Sequence, residues 1–323
     1  MQTVSVFTLK GGVGKTAITV FLADFLSSVF DQRVLVVDLD PQLSTTIALL
    51  GEEKLLSAIQ RGASVGKLLL DSIEGKNNTS NVLSYITDRP MIKEKSRFKY
   101  LQKVSVLASD RELWHDLEDK FARMQNSKPT VTWEHLRNSL RFVDDQFDIC
   151  LVDFPACYTG PITKNGIVAS DWWLFPVEPN RMAARDMDGP RRLLRQVWKV
   201  TGRKLKGLGT VLSICQNRGG SAYRRTRAVL ANLAERKVIP KLFGKDAEIS
   251  SCVEALNALD DTLRDSFKTI DQKYGGSAKS LHEDIKKLTK EILERLRIQA
   301  VEIDEVNTVD DVNAEVTRNY QKV

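Results

Sequence analysis

Short apolar runs alternate with stretches of helical periodicity along most of the chain. The apolar runs are nearly continuous, which is typical of parallel strands that are covered on both faces of a sheet. They predict strands at Val4–Phe7, Arg33–Asp38, Val104–Leu107, Phe147–Asp153, Trp172–Val177 and Leu208–Ile214. Between them, apolar residues three and four positions apart predict helices at Ala17–Val29, Asp110–Met124, Thr132–Val143, Arg181–Val200, Tyr223–Leu233 and Ser277–Leu296.

This alternation predicts an α/β fold, with a doubly wound, mostly parallel sheet and helices on both faces. Ligands of such folds bind at the carboxyl ends of the strands. Residues 51–100 are less regular and are predicted as mixed helix and loop. We expect one domain over residues 1–297, which includes that irregular region, followed by an acidic tail over residues 298–323.

Charge is distributed unevenly along the chain. The net charge is +6, yet the segment from Arg181 to Lys245 alone holds 17 Lys/Arg against three Asp/Glu. The last segment, Val301 to Val323, holds six acids and two bases. A strongly basic segment in the second half of the chain indicates an anionic partner.

Cysteine usage and the N-terminal pattern bear on the cellular compartment. The four cysteines are widely scattered and form no CxxC pair, which argues against a zinc or iron–sulfur site built on close pairs. The chain starts with a short strand and a glycine-rich loop, without a signal-peptide pattern. No apolar run reaches the roughly 20 residues that span a bilayer. These features predict a cytoplasmic protein.

The glycine-rich segment Lys10-Gly11-Gly12-Val13-Gly14-Lys15-Thr16 carries the strongest chemical signal. Glycines let several backbone N–H groups converge on one anion, and the helix that follows points its N-terminus at the same place. Lys15 is placed to reach the β- and γ-phosphates, and the Thr16 hydroxyl to bind Mg²⁺. The usual phosphate-loop pattern has glycine where Leu9 stands, so this is a variant. The alternative is a glycine-rich turn with a chance lysine.

This loop resembles the deviant Walker A loop of the ParA/MinD ATPases. The resemblance continues at Asp38-Leu39-Asp40-Pro41-Gln42, which matches the ParA pattern D-x-D-P-Q, and at Asp148 to Pro155, which is similar to the Walker B strand. Weaker matches follow in the same order at Phe175 to Pro179 and Val238 to Pro240. Together they cover about residues 1 to 297 and indicate an ATPase that uses ATP and Mg²⁺.

The resemblance implies roles for individual residues. Lys10 would reach across a homodimer to the partner's nucleotide, and Asp40 would position or activate the attacking water, with Lys15 as the third catalytic residue. Mg²⁺ would be held by Thr16, Asp38 and Asp153. The alternatives are a solvated lysine and acids that only cap turns or helices. The residues implied in nucleotide binding are Gly11, Gly12, Val13, Gly14, Lys15, Thr16, Ala17, Pro176 and Asn217. Of these, Pro176 would pack on adenine and Asn217 would hydrogen-bond the base edge.

ParA proteins bind DNA without sequence preference through basic residues of their C-terminal half. The matching candidates here are Arg191, Arg192, Arg195, Arg224, Arg225, Arg227, Arg236 and Lys237. The alternative for each is an ordinary solvated helix face. No helix-turn-helix candidate precedes the first strand, so the chain resembles the short partition ATPases.

The predicted helix Ser277–Leu296 bears on an alternative interpretation, in which the protein binds membrane as MinD does. MinD proteins end in a basic amphipathic helix that binds membrane. Here acids are interspersed with the bases and an acidic tail follows, which anionic lipid would repel. We therefore expect this helix to dock on the core and no membrane binding.

Four function classes remain open from the sequence. The leading one is a nucleoid-associated ATPase that partitions plasmid or chromosome DNA, or positions another cargo, with a ParB-like partner that stimulates hydrolysis. The alternatives are a MinD-like membrane-cycling ATPase, an iron–sulfur reductase of the nitrogenase iron-protein type, and a small-molecule ligase such as dethiobiotin synthetase. For the reductase, Cys157 has no convincing second ligand, and the ligases lack the D-P-Q segment.

Overall fold

The fold is built on one seven-stranded sheet. The computed structural model describes residues 1–90, 103–125, 133–156, 159–180, 182–213, 220–237, 239–244 and 279–297. The strands are β1 (Gln2–Val6), β2 (Val34–Asp38), β3 (Thr87–Asp88), β4 (Val104–Leu107), β5 (Ile149–Asp153), β6 (Trp172–Val177) and β7 (Lys206–Leu212). Their order across the sheet is β3-β4-β2-β5-β1-β6-β7, and only β3 runs antiparallel to its neighbour.

Helices connect these strands in the described parts of the chain. They are α1 (Lys15–Ser28), α2 (Ser44–Gln60), α3 (Val65–Ile73), α4 (Thr79–Ser84), α5 (Arg111–Gln125), α6 (His135–Leu140), α7 (Pro161–Ala169), α8 (Asp188–Thr201), α9 (Ser221–Glu235) and α10 (Lys279–Arg297). Short 3₁₀ turns cover Arg141–Val143 and Arg185–Met187.

The sheet separates two apolar cores because successive residues of a strand point to opposite faces. On β2, Val34 and Val36 pack with α1, α2 and α10, whereas Leu35 and Val37 pack with helices α3 to α9. Strand β2 is fully buried on both sides. This is the doubly wound, mostly parallel α/β fold that the apolar runs predict.

The region 51–90 is more helical than its irregular pattern suggests. It contains most of α2, all of α3 and α4, and strand β3. Helix α2 is kinked at Gly51, whose φ of 74° and ψ of 164° lie outside the helical region. The kink interrupts the helical period there, which explains why the sequence gives a weak signal. Residues 91–100 lie outside the described part, as does the acidic tail 298–323.

Helix α10 docks on the core, as expected. Leu281, Ile285, Leu288, Ile292 and Leu296 are buried in the core that also contains α1. The Arg295 guanidinium donates to the carbonyl oxygens of Leu208 (2.8 Å) and Leu242 (2.7 Å), which ties the helix to β7 and to the segment that follows α9. The apolar face of α10 is thus covered by protein. Of the helices described, none combines the length and apolar character needed to cross a membrane.

Candidate functional site: a phosphate loop and paired acids

The glycine-rich loop connects β1 to α1 at the carboxyl edge of the sheet. Gly12 and Gly14 have φ angles of 73° and 81°, a left-handed conformation that side chains strongly disfavour. Val13 is buried, and its carbonyl oxygen accepts a 2.8 Å hydrogen bond from the Ser213 hydroxyl at the end of β7. The loop conformation therefore depends on glycine at two positions and is supported by the end of β7.

Leu9, the residue at the variant position of the loop, packs against α8. A Cβ atom added at Gly189, in the first turn of that helix, would lie 2.8 Å from Leu9 Cδ1. The absence of a side chain at Gly189 thus makes room for the leucine.

Lys15 and Thr16 begin α1 and face the inside of the site. Lys15 is only 7% exposed, and its ammonium group donates to the carbonyl oxygen of Lys10 (3.1 Å), across the loop. The Thr16 hydroxyl donates to Asp153 Oδ2 at 2.9 Å. Ala17 is buried in the same first turn. A cation, a hydroxyl and a carboxylate are therefore brought together at the helix N-terminus, where anions are favoured.

Asp38 and Asp153 end neighbouring strands and are direct partners in the β2–β5 register. Both side chains are fully buried. Burial, followed by the nearby charge of Asp153, raises the pKa of Asp38 to about 7, although hydrogen bonds from Thr46 and the Asp40 backbone lower it. Burial also raises the pKa of Asp153 to about 6, although hydrogen bonds from Thr45 and Thr16 lower it.

Two buried carboxylates side by side are costly unless charge or hydrogen bonds compensate them. A divalent cation would supply that compensation, and carboxylate and hydroxyl oxygens are the ligands that Mg²⁺ prefers. The donor set of Thr16, Asp38 and Asp153 therefore fits magnesium in chemical type.

Asp40 shapes the segment that follows β2. Its Oδ1 atom accepts a 2.9 Å hydrogen bond from the Gln42 backbone N–H, and its own N–H donates to Asp38 Oδ1, also at 2.9 Å. The Arg111 guanidinium contacts Gln42 Oε1 and the Pro41 carbonyl oxygen, each at 3.3 Å. Asp40 lies next to the paired acids and, unlike them, is only half-buried.

Lys10 pairs with acids of its own chain. Its ammonium group lies 3.0 Å from Asp186 Oδ2 and 3.5 Å from Glu178 Oε2, and the lysine side chain is 29% exposed. Asn180 Nδ2 also donates to Glu178 Oε2 (2.8 Å). In this conformation Lys10 is directed at the segment between β6 and α8.

The expected base-binding residues are less informative. Pro176 is buried within β6, opposite Val211 of β7. Asn217 lies outside the described residues, as do Cys157 and the Val238 end of the weaker motif. Packing of Pro176 on adenine and hydrogen bonding by Asn217 stay predictions.

The basic candidates lie on two helices on the same side of the sheet. Helices α8 and α9 both contribute to the core on the β2 Leu35 face, through residues such as Leu193 and Leu230. Arg191 and Arg227 are half-buried, whereas the remaining candidates are exposed: Arg192, Arg195, Arg224, Arg225, Arg236 and Lys237. The last two lie just past the end of α9. The exposed basic side chains are thus concentrated on α8 and on α9 with the residues just past it.

Several contacting residues escape sequence reasoning. Thr45 donates to Asp153 and Thr46 donates to Asp38, whereas Glu178 and Asp186 form ion pairs with Lys10. Except for Thr46 and Asp38, which are eight residues apart, the partners are far apart in sequence. Adjacency of two threonines to the D-P-Q segment was the one local signal available for Thr45 and Thr46. Nothing near Lys10 in the sequence points to Asp186.

Comparison with known proteins agrees with this geometry. The family model AAA_31, an AAA domain, matches residues 1–208. A virulence plasmid ParA family protein, pGP5-D of Chlamydia psittaci, is 26% identical over 297 residues, which cover 92% of this chain and 96% of the relative.

Two solved structures share the fold. The Cyanothece McdA(D38A)–ATP complex has a TM-score of 0.66 at 18% identity, over 93% of this chain and 98% of the other. The structure of pNOB8 ParA bound to nonspecific DNA has a TM-score of 0.65 at 19% identity, over 92% of this chain and 99% of the other. The family model and the ordered motifs agree: this chain belongs to the AAA_31 family and is a ParA-type partition ATPase.

Proposed function

We propose that this chain binds ATP in the Lys10–Thr16 loop, forms a homodimer on ATP, and then binds DNA without sequence preference. Slow hydrolysis, stimulated by a ParB-like centromere-binding protein or cargo adaptor, ends each cycle. The process partitions plasmid or chromosome DNA, or positions another cargo, and takes place in the cytoplasm on the nucleoid. The observation that carries the proposal is the combination of the phosphate loop and paired acids with two basic helices in one domain.

The chain's own residues define the chemistry. The loop N–H groups and the Lys15 ammonium would hold the phosphates, and Thr16, Asp38 and Asp153 would hold Mg²⁺. Bound Mg²⁺ supplies positive charge that offsets the charge on the phosphate oxygens. Asp40 accepts a hydrogen bond from the attacking water and orients it. Lys10, once released from Asp186, adds positive charge at the partner's nucleotide.

The proposed organisation is a single ATPase domain over residues 1–297 with an acidic tail over 298–323. A two-fold dimer doubles the basic surface that DNA meets, so ATP controls affinity through assembly. Such affinity comes from phosphate contacts and falls steeply with salt.

Binding to nonspecific duplex DNA tests the proposal. It is measured with ATP, ADP or no nucleotide across a salt series. We expect tight, salt-sensitive binding only with ATP. Absence of DNA binding in every nucleotide state would overturn the DNA-based function and direct attention to vesicle binding.

A further inference from the structure

Thr45 has a buried hydroxyl group, and none of the sequence motifs gives this residue a role. It lies in the first turn of α2, is fully buried, and donates a 2.5 Å hydrogen bond to Asp153 Oδ2. That oxygen also receives the Thr16 hydroxyl at 2.9 Å. Two hydroxyls from different helices thus converge on one carboxylate oxygen.

Two buried threonines in helices outside the α2 turn behave differently. Thr19 and Thr289 donate to the carbonyl oxygens of Lys15 and Ile285, four residues back in their own helices. This is the ordinary local bond of a helical threonine. Thr45 instead reaches a carboxylate that is 108 residues away in the sequence. Its contact is therefore specific to the site.

The next residue repeats the arrangement on the other acid. Thr46 donates its backbone N–H (2.9 Å) and its hydroxyl (2.7 Å) to Asp38 Oδ2. Consecutive residues of α2 thereby contact the two acids that the β2–β5 register places side by side. The same first turn follows directly after Asp40 to Gln42, so it links the paired acids to the segment proposed to hold the attacking water.

We infer that Thr45 is a positioning residue that orients the Asp153 carboxylate for Mg²⁺. The inference rests on the proposed function. If the Thr16 hydroxyl were taken up by Mg²⁺, Thr45 would remain as the side-chain donor to Asp153 among the hydrogen bonds described here. Hydrogen bonds of this outer-sphere type keep a ligand in the required orientation, and their loss costs about 10- to 100-fold in metal affinity or activity.

The test compares the affinity for ADP in the presence of Mg²⁺ with the affinity in its absence. ADP affinity of the full chain is measured in Mg²⁺ and in EDTA for the unaltered protein, Thr45→Val and Thr45→Ser. We expect Thr45→Val to lose about 10-fold or more of the Mg²⁺-dependent gain, with an EDTA affinity within about two-fold of the parent. Thr45→Ser keeps the hydroxyl and should restore the gain.

Thr289→Val is the matched control, because it removes a buried helical hydroxyl outside the site. It should change neither affinity. Thr45→Ala, which places no methyl group against the Asp153 carboxylate, replaces Thr45→Val if the latter does not fold. A full Mg²⁺-dependent gain in the variant, or equal losses in Mg²⁺ and EDTA, would overturn the inference. If the ADP affinity of the unaltered protein were the same in Mg²⁺ and in EDTA, the proposed function would be overturned as well.

Discussion

The ammonium group of Lys10 lies 3.0 Å from the carboxylate of Asp186, within the same chain. In the cross-dimer role that we propose for it, Lys10 would have to leave this partner before it could act on a second subunit. Asp186 belongs to the 3₁₀ turn that leads into α8, the first basic helix. The contact thus connects the phosphate loop to the segment that precedes the proposed DNA-binding surface.

We expect Asp186→Asn to favour ATP-dependent dimerisation. Partly exposed ion pairs contribute up to about 1 kcal/mol, so the dimer dissociation constant should fall by about two- to five-fold. Light scattering across a concentration series with ATP measures it. Asp119→Asn, which changes an exposed acid of α5, is the control. A weaker or unchanged dimer would show that the pair does not restrain Lys10.

Lys15→Ala should abolish useful nucleotide binding. The Lys15 ammonium lies inside the loop, and no other described residue of the loop places a cation there. We expect the ATP affinity to fall by about 100-fold or more, since hydrogen bonds to charged groups are among the strongest. Titration calorimetry measures it. Lys103→Ala removes an exposed lysine and should leave the affinity unchanged.

Asp40 substitutions should separate binding from hydrolysis. Asp40→Asn retains an oxygen that accepts from the Gln42 N–H, so the turn is preserved while the carboxylate is lost. We expect near-parent ATP affinity and a turnover rate lowered by about 100-fold or more, in the range of general base removal. Asp40→Ala should also block turnover. Hydrolysis at the parent rate in either variant would contradict the catalytic role.

Charge reversal on α9 should weaken DNA binding selectively. Arg224→Glu with Arg225→Glu alters two exposed residues, and we expect weaker binding and a shallower salt dependence with unchanged ATP affinity. Lys286→Glu with Lys287→Glu makes the same charge change on α10, on the opposite side of the sheet. Equal losses for both pairs would point to net charge alone as the cause.

The nucleotide-free protein should lose stability as pH rises. Burial raises the pKa of Asp38 and of Asp153, so the folded state binds protons more tightly than the unfolded state does. Stability therefore falls between about pH 4 and about pH 7 through these groups. Thermal melts at about pH 5 and pH 8 measure it. Asp38→Asn should reduce the difference in Tm between them; an unchanged difference would contradict this source.

The strands and the phosphate loop were predictable because their signals are local. A parallel strand buried on both faces is a continuous apolar run, and β1, β2, β4, β5, β6 and β7 all match one. Helix α7 was missed because its residues are buried on every side, which removes the polar face that creates a helical period. Strand β3 has two residues, too few for a pattern.

The site residues also divide into those with a local sequence signal and those without one. Asp38 and Asp153 could be placed together because parallel strands end at one edge. The contacts of Thr45 with Asp153 and of Lys10 with Asp186 depend on how a helix and a loop settle on that edge. Such contacts arise only from three-dimensional packing. No recurring spacing between the residues in the sequence therefore predicts them.

Leu9 fits against α8 because Gly189 has no side chain. The ordinary phosphate loop has its glycine at position 9, whereas here the leucine is accommodated by the glycine of α8. In related chains we expect these two positions to covary in size, with a larger residue at 189 only where residue 9 is small. Leu9→Gly alone would leave a void between the phosphate loop and α8. The packing that connects this helix to the nucleotide-binding loop would then be weaker.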